Sequence, residues 1–174
     1  MKLIELSIIE RQILYNQFLI LEKIYDDPGY GHNATILEKG FTIQYQGIFN
    51  VHSNEIPYHI CQETIDILEM YRIIDNAIAQ LDDSDKESMG LDKLKFQGFD
   101  ANYDDHYLYA EFMIKDQGLW DEYKDFPLNS HGFSSINKYR TMLEVLKRLK
   151  ESHPHAPISF DLDKKGLEEM INAI

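Results

Sequence analysis

The stretch PYHICQETIDILEMYRIIDNAIAQL, residues 57–81, decides the fold. Ile60, Thr64, Ile65, Ile67, Leu68, Tyr71, Ile74, Ile78 and Leu81 recur at spacings that put them on one face of a helix. Pro57 suits a first helical turn, where a missing N–H is no loss. At 1.5 Å per residue, a helix from about Pro57 to Leu81 is roughly 37 Å long, enough to cross a domain of this size. It is therefore read as the central element of an all-α domain, and its neighbours as the helices that cover it.

Towards the N-terminus, Ser7-Ile8-Ile9-Glu10 has the spacing of a capping box. The helix it opens is expected to reach about Tyr25 and to stop at Pro28-Gly29. Its apolar positions are Ile9, Ile13, Leu14, Phe18, Leu21, Ile24 and Tyr25, and Leu19 and Ile20 widen the stripe. Such a pattern predicts burial on most sides, with Asn16 bonding an irregular backbone segment. A shorter helix is expected after Asn33, through Leu37 to Gly40. The segment near 41–48 is expected to be irregular or extended. Phe41, Ile43 and Tyr45 share a parity that permits a strand, and a short helix is equally allowed.

Beyond the central helix, Asp82 to Glu87 reads as a solvated linker. Phe96 to Phe99 is an apolar turn broken by Gly98. Asp100 or Asn102 is expected to cap a helix carrying Tyr103, Tyr107, Ala110 and Ile114, closed by Gly118. Trp120 to His131 is aromatic and irregular. Ser134 or Ser135 caps the next helix, with Ile136, Tyr139, Leu143, Leu146 and Leu149 inward. Asp163 caps the last, with Leu162 and Leu167 at the positions of a hydrophobic staple. Residues 100–125 are rich in Asp and Glu, and residues 138–150 in Lys and Arg, so the two segments are expected to lie close together.

The 174 residues fit one domain, residues 1–174, and a chain of this length buries about 70% of its unfolded surface. With 30 acidic against 17 basic residues, the net charge is −13, which disfavours binding to nucleic acid or to anionic membranes. Cys61 stands alone, so no disulfide forms within the chain, and a reducing compartment is expected. No apolar run approaches the ~20 residues of a membrane span, and Glu5 and Glu10 interrupt any secretory core. The expected location is the cytoplasm.

Several motifs carry a resemblance in collinear order. ERQILYNQFLILEKI (10–24), ILEKGF (36–41), ETIDILEMYRII (63–74), FQGFDANYDDHYLYAEFMIKDQGLW (96–120), HGF (131–133), INKYRTMLEVL (136–146) and LDKKGLEEMINAI (162–174) resemble the bacterial YfbU family. The stretch after Gly40 and the stretch from Pro154 to Pro157 match it poorly. The resemblance implies a multihelical, oligomeric bacterial domain, and it supplies no catalytic residue to carry over.

The chemistry-bearing residues are few. Asp100 and His131 can be set out as the acid and base of a cleft, but a cap and a turn residue explain them more simply. Arg148 and His153 have the Arg-x-x-x-x-His spacing of HEPN-type ribonucleases. Leu149 departs from that motif's polar position, and Pro154 ends the helix. His153 and His155 lack an obvious third metal ligand. Asn102, Trp120, Tyr123 and Phe133 are candidates for a ligand or interaction surface. There is no phosphate loop, nucleophile elbow or cysteine-rich metal spacing. No metal or cofactor is expected. The reading is a non-enzymatic module that partners itself, and possibly another protein. The alternative is a hydrolase, most plausibly a ribonuclease, using Arg148 and His153 or the Asp100 and His131 cleft.

Overall fold

The computed structural model describes residues 4–49, 55–132, 135–152 and 161–174. The fold is all-α, with eight α-helices and no strand among the described residues. The chain divides into two compact units, Met1–Glu55 and Ile56–Ile174.

In the first unit, α1 spans Ile8–Tyr25 and opens with the expected capping box, Ser7 and Glu10 each satisfying the other's backbone N–H. It ends at Asp26, in the left-handed conformation. The second helix differs from expectation. Pro28 is a first-turn residue rather than a terminator, so α2 runs Pro28–Lys39 with Asp27 as its cap, and Asn33 lies inside it. Gly40 ends it as expected, at φ 69°. Residues 42–48 are neither irregular nor extended. A 3₁₀ turn, Thr42–Gln44, leads into α3, Tyr45–Ile48. Here helical spacing prevails over parity, because Tyr45 and Ile48, three apart, are the buried pair.

The packing of α1 also departs from expectation. Leu14, Tyr15 and Phe18 lie against the small core of Ile36, Leu37, Tyr45 and Ile48. Arg11 donates to the carbonyls of Leu37 (3.0 and 2.7 Å) and Glu38 (3.0 Å), satisfying the C-terminal end of α2. No residue of α1 is buried, however, so the helix is not enclosed on most sides. Asn16 is exposed and accepts from Gln12 within the helix, at 2.9 Å, rather than holding an irregular backbone.

The second unit is built on α4, Tyr58–Gln80, with Pro57 as its cap residue rather than in its first turn. Thr64, Ile67, Leu68, Met70, Tyr71, Ile74 and Ala77 form its buried face. Asp82 to Glu87 is not a plain linker. Asp82 caps α5, Asp83–Ser88, and Lys164 pairs with Asp85. A 3₁₀ turn, Leu91–Leu94, follows. Then come α6, His106–Glu111, running directly into a π-helical segment, Phe112–Asp116, and a 3₁₀ turn, Asp121–Tyr123. The remaining helices are α7, Ile136–Glu151, and α8, Lys164–Ala173. Asp163 caps α8 as expected, and Leu162 and Leu167 are both buried.

Phe96 is the centre of the aromatic core. Its ring lies 5.0 Å from Tyr71, 5.5 Å from Phe99, Tyr123 and Phe126, and 5.9 Å from Tyr139. Trp120 and Tyr123 belong to this main core rather than to a separate cluster.

Candidate functional site

The site begins with a tight backbone crossing. Gly98, at φ 76°, turns the chain so that the Phe99 N–H donates to the Leu128 carbonyl at 2.7 Å, and the Ser130 N–H to the Phe99 carbonyl at 2.9 Å. Tyr139 of α7 clamps the turn. Its hydroxyl donates to the Gly98 carbonyl (2.9 Å) and accepts from the Gln97 N–H (3.0 Å). Asn129 ties the two crossing segments, accepting from the N–H groups of Ala101 (3.3 Å) and His131 (2.9 Å) through one side-chain oxygen.

Asp100, 2% exposed, is held inside this crossing. Its carboxylate accepts from the Asn102 N–H at 2.9 Å, and its own N–H donates to Asp104. It therefore closes a turn rather than capping a helix, since α6 starts only at His106. Tyr103, expected inward, is 85% exposed. Removing the Asp100 carboxylate should lower stability by about 0.5–2 kcal/mol, as loss of a comparable cap does, and a denaturant titration of Asp100→Ala measures it.

The turn delivers Phe99 onto His106, the two rings stacked at 5.6 Å and 15°. His106 joins the strongest polar constellation in the unit. Glu63 of α4 accepts from His106 Nε2 at 2.8 Å and from both arms of Arg140 of α7, at 2.7 and 2.9 Å. Because the carboxylate only accepts, Nε2 carries the hydrogen, leaving Nδ1 buried with no partner. Beside the trio lies a shallow polar pocket of about 250 Å³, lined by Tyr103, Asp104, Asp105, Asn137 and Arg140 among others.

The electrostatics of this trio keep Glu63 ionised. The Arg140 guanidinium, with His106 assisting, lowers the Glu63 carboxyl to about 2. So weak a base takes no proton at neutral pH. Because the folded value lies below the ordinary 4.5, the stabilisation is complete above that pH and is lost as pH falls towards 2. Wild type should therefore lose stability across that interval more steeply than Glu63→Gln, as measured by thermal unfolding at stepped pH.

Among the expected site residues, Asp100 is buried, whereas His131 is exposed at φ 51° with its N–H on Asn129. Arg148 is exposed and pairs with Glu169 at 3.3 Å. Its expected partner His153 lies outside the described residues, as do His155 and Phe133. Asn102 is exposed on the Asp100 turn. Trp120, at φ 50°, is buried with its indole N–H unpartnered, and Arg72 lies 5.3 Å over its ring. Tyr123 donates to Asp75 at 2.6 Å, and burial raises its phenol far above the ordinary range. Cys61 is partly buried. No group of three or more metal-ligating side chains occurs among the described residues, nor any helix long and apolar enough to cross a membrane.

The acidic and basic segments come together at Arg140, which shares the pocket with Asp104 and Asp105. The direct ion pairs run elsewhere, Arg140 to Glu63 and Arg148 to Glu169.

The described residues define a class by architecture, an all-α domain. The family model of the YfbU domain matches residues 4–173, and the chain belongs to the YfbU family. It is also similar to a UPF0304 protein of Methanocaldococcus jannaschii, at 31% identity over 173 residues, covering 97% of this chain and 99% of the relative.

Proposed function

We propose that the protein is a non-enzymatic, self-associating interaction or regulatory module of the bacterial cytoplasm. The observation that carries the reading is the outer face of α1, where Ile9, Ile13, Ile20 and Ile24 are 72%, 52%, 58% and 66% exposed. A monomeric soluble protein seldom leaves a row of large aliphatic side chains in water, and such rows mark protein contacts. The Glu63, His106 and Arg140 trio supports the same reading. Its charges are spent on one another, so it braces three helices rather than presenting a reactive group. The lone cysteine, Cys61, accords with a reducing compartment.

Light scattering at micromolar concentration tests the reading. The expected mass is at least twice the 20.5 kDa of the chain. A mass of one chain throughout that range overturns it.

A further inference from the structure

The geometry points to a specific partner for this face, namely the same face of a second copy, with the two α1 helices antiparallel about a twofold axis between Asn16 and Gln17. The inference rests on the self-association reading above and adds the surface and its register.

The first observation is the spacing. With 3.6 residues per turn, Ile9, Ile13, Ile20 and Ile24 fall within about 60° of arc, centred roughly 130° around α1 from Leu14 and Phe18, which pack in the unit's own core. Read from either end, the row is the same: isoleucine, four residues on isoleucine, then the central Asn16-Gln17, then isoleucine, and four residues on isoleucine. Turning one copy end over end therefore sets Ile9 beside Ile24 of the second copy and Ile13 beside Ile20 of the second copy. Asn16 and Gln17 then meet their own counterparts at the axis. An isologous contact requires such self-complementarity. In a parallel pair each isoleucine meets its own equivalent instead, and the row's end-to-end symmetry goes unused.

The second observation is charge. The four isoleucines, and Asn16 and Gln17 about 20° to either side of that arc, are all exposed and all uncharged. In a chain of net charge −13, an uncharged face is one on which two copies meet without repulsion. Asn16 and Gln17 add hydrogen-bonding groups at the centre of the row, the device by which a polar residue in an apolar seam selects one register.

The third is fit. A groove of about 480 Å³ runs beside the N-terminal half of the row, walled by Ile4, Leu6, Leu14 and Phe49, with Ile13 and Gln17 at its edge. It lies on the flank where an antiparallel partner brings its Ile24. Four half-exposed isoleucines and their flanks from two copies bury on the order of 1,000 Å² in total, the lower bound for a specific interface. Self-association in the micromolar range is the corresponding expectation.

The test uses the full chain in a Cys61→Ser background. Gln17→Cys, beside the axis, should form a disulfide-linked dimer within its own population under mild oxidation. Ile9→Cys and Ile24→Cys should each link poorly alone and efficiently when mixed. Ile13→Glu should lower the scattering mass to that of one chain, whereas Ile43→Glu, at an exposed site outside the row, should leave it unchanged. Because Ile13 is exposed, circular dichroism should show an intact helical fold for its variant. If wild type is a dimer but Ile13→Glu remains one, or Ile9→Cys links best to itself, the surface or register proposed here is wrong and self-association stands. If wild type is a monomer, both fail together.

Discussion

Replacing Gly98 with alanine is expected to cost about 3–5 kcal/mol, far more than an ordinary glycine-to-alanine change. Two costs add. At φ 76° an L-residue is strained, and an ideal Cβ would lie 2.2 Å from the Leu128 carbonyl oxygen. That oxygen has no room to retreat without breaking the bond it accepts from the Phe99 N–H, and Tyr139 holds the Gly98 carbonyl from the other side. Gly90 is the natural control. It has nearly the same φ, 68°, but nothing within 4 Å of its Cβ position, so Gly90→Ala should cost only about 1 kcal/mol. Denaturant midpoints of the two variants separate strain from collision. Equal shifts would mean that the close crossing at residue 98 does not exist.

Leu68→Ala should cost about 2–5 kcal/mol. Leu68 is fully buried on α4, in the cluster that includes Tyr71, Met142 and Leu167. Truncation removes three buried carbons and leaves a cavity whose walls come from several helices, which limits collapse. Thermal or denaturant unfolding measures the loss. A midpoint unchanged within error would place Leu68 on the surface and contradict the packing of α4.

What was legible in the sequence was local. The period of residues 57–81, the Ser7 and Glu10 box and the Asp163 cap all follow from rules spanning a few residues, and the structure bears each out. The candidate site was less legible because its bonds join residues far apart in the chain. Glu63 meets Arg140 across 77 residues, and Tyr139 meets Gly98 across 41. Tyr139 has the spacing of a core residue, and nothing in that spacing reveals that its hydroxyl clamps a turn. Asn129 was missed for the same reason. Pro28 was ambiguous in a physical sense, since proline both ends one helix and starts the next.

The outer row of α1 was misread for a different reason. Apolar residues all round a helix ordinarily mean enclosure by the chain's own core. In α1 they divide into two faces, and only the one bearing Leu14 and Phe18 is packed. Hydropathy alone does not distinguish a face buried by its own chain from one left for a partner.

Amide hydrogen exchange at increasing protein concentration tests the central claim most directly. An 18-residue helix with no buried residue opens easily as a monomer and is held shut when its outer face is covered. From well below to well above micromolar concentration, protection in residues 8–25 should rise while that in residues 58–80 stays constant. Protection in α1 that is independent of concentration across that range would contradict the account.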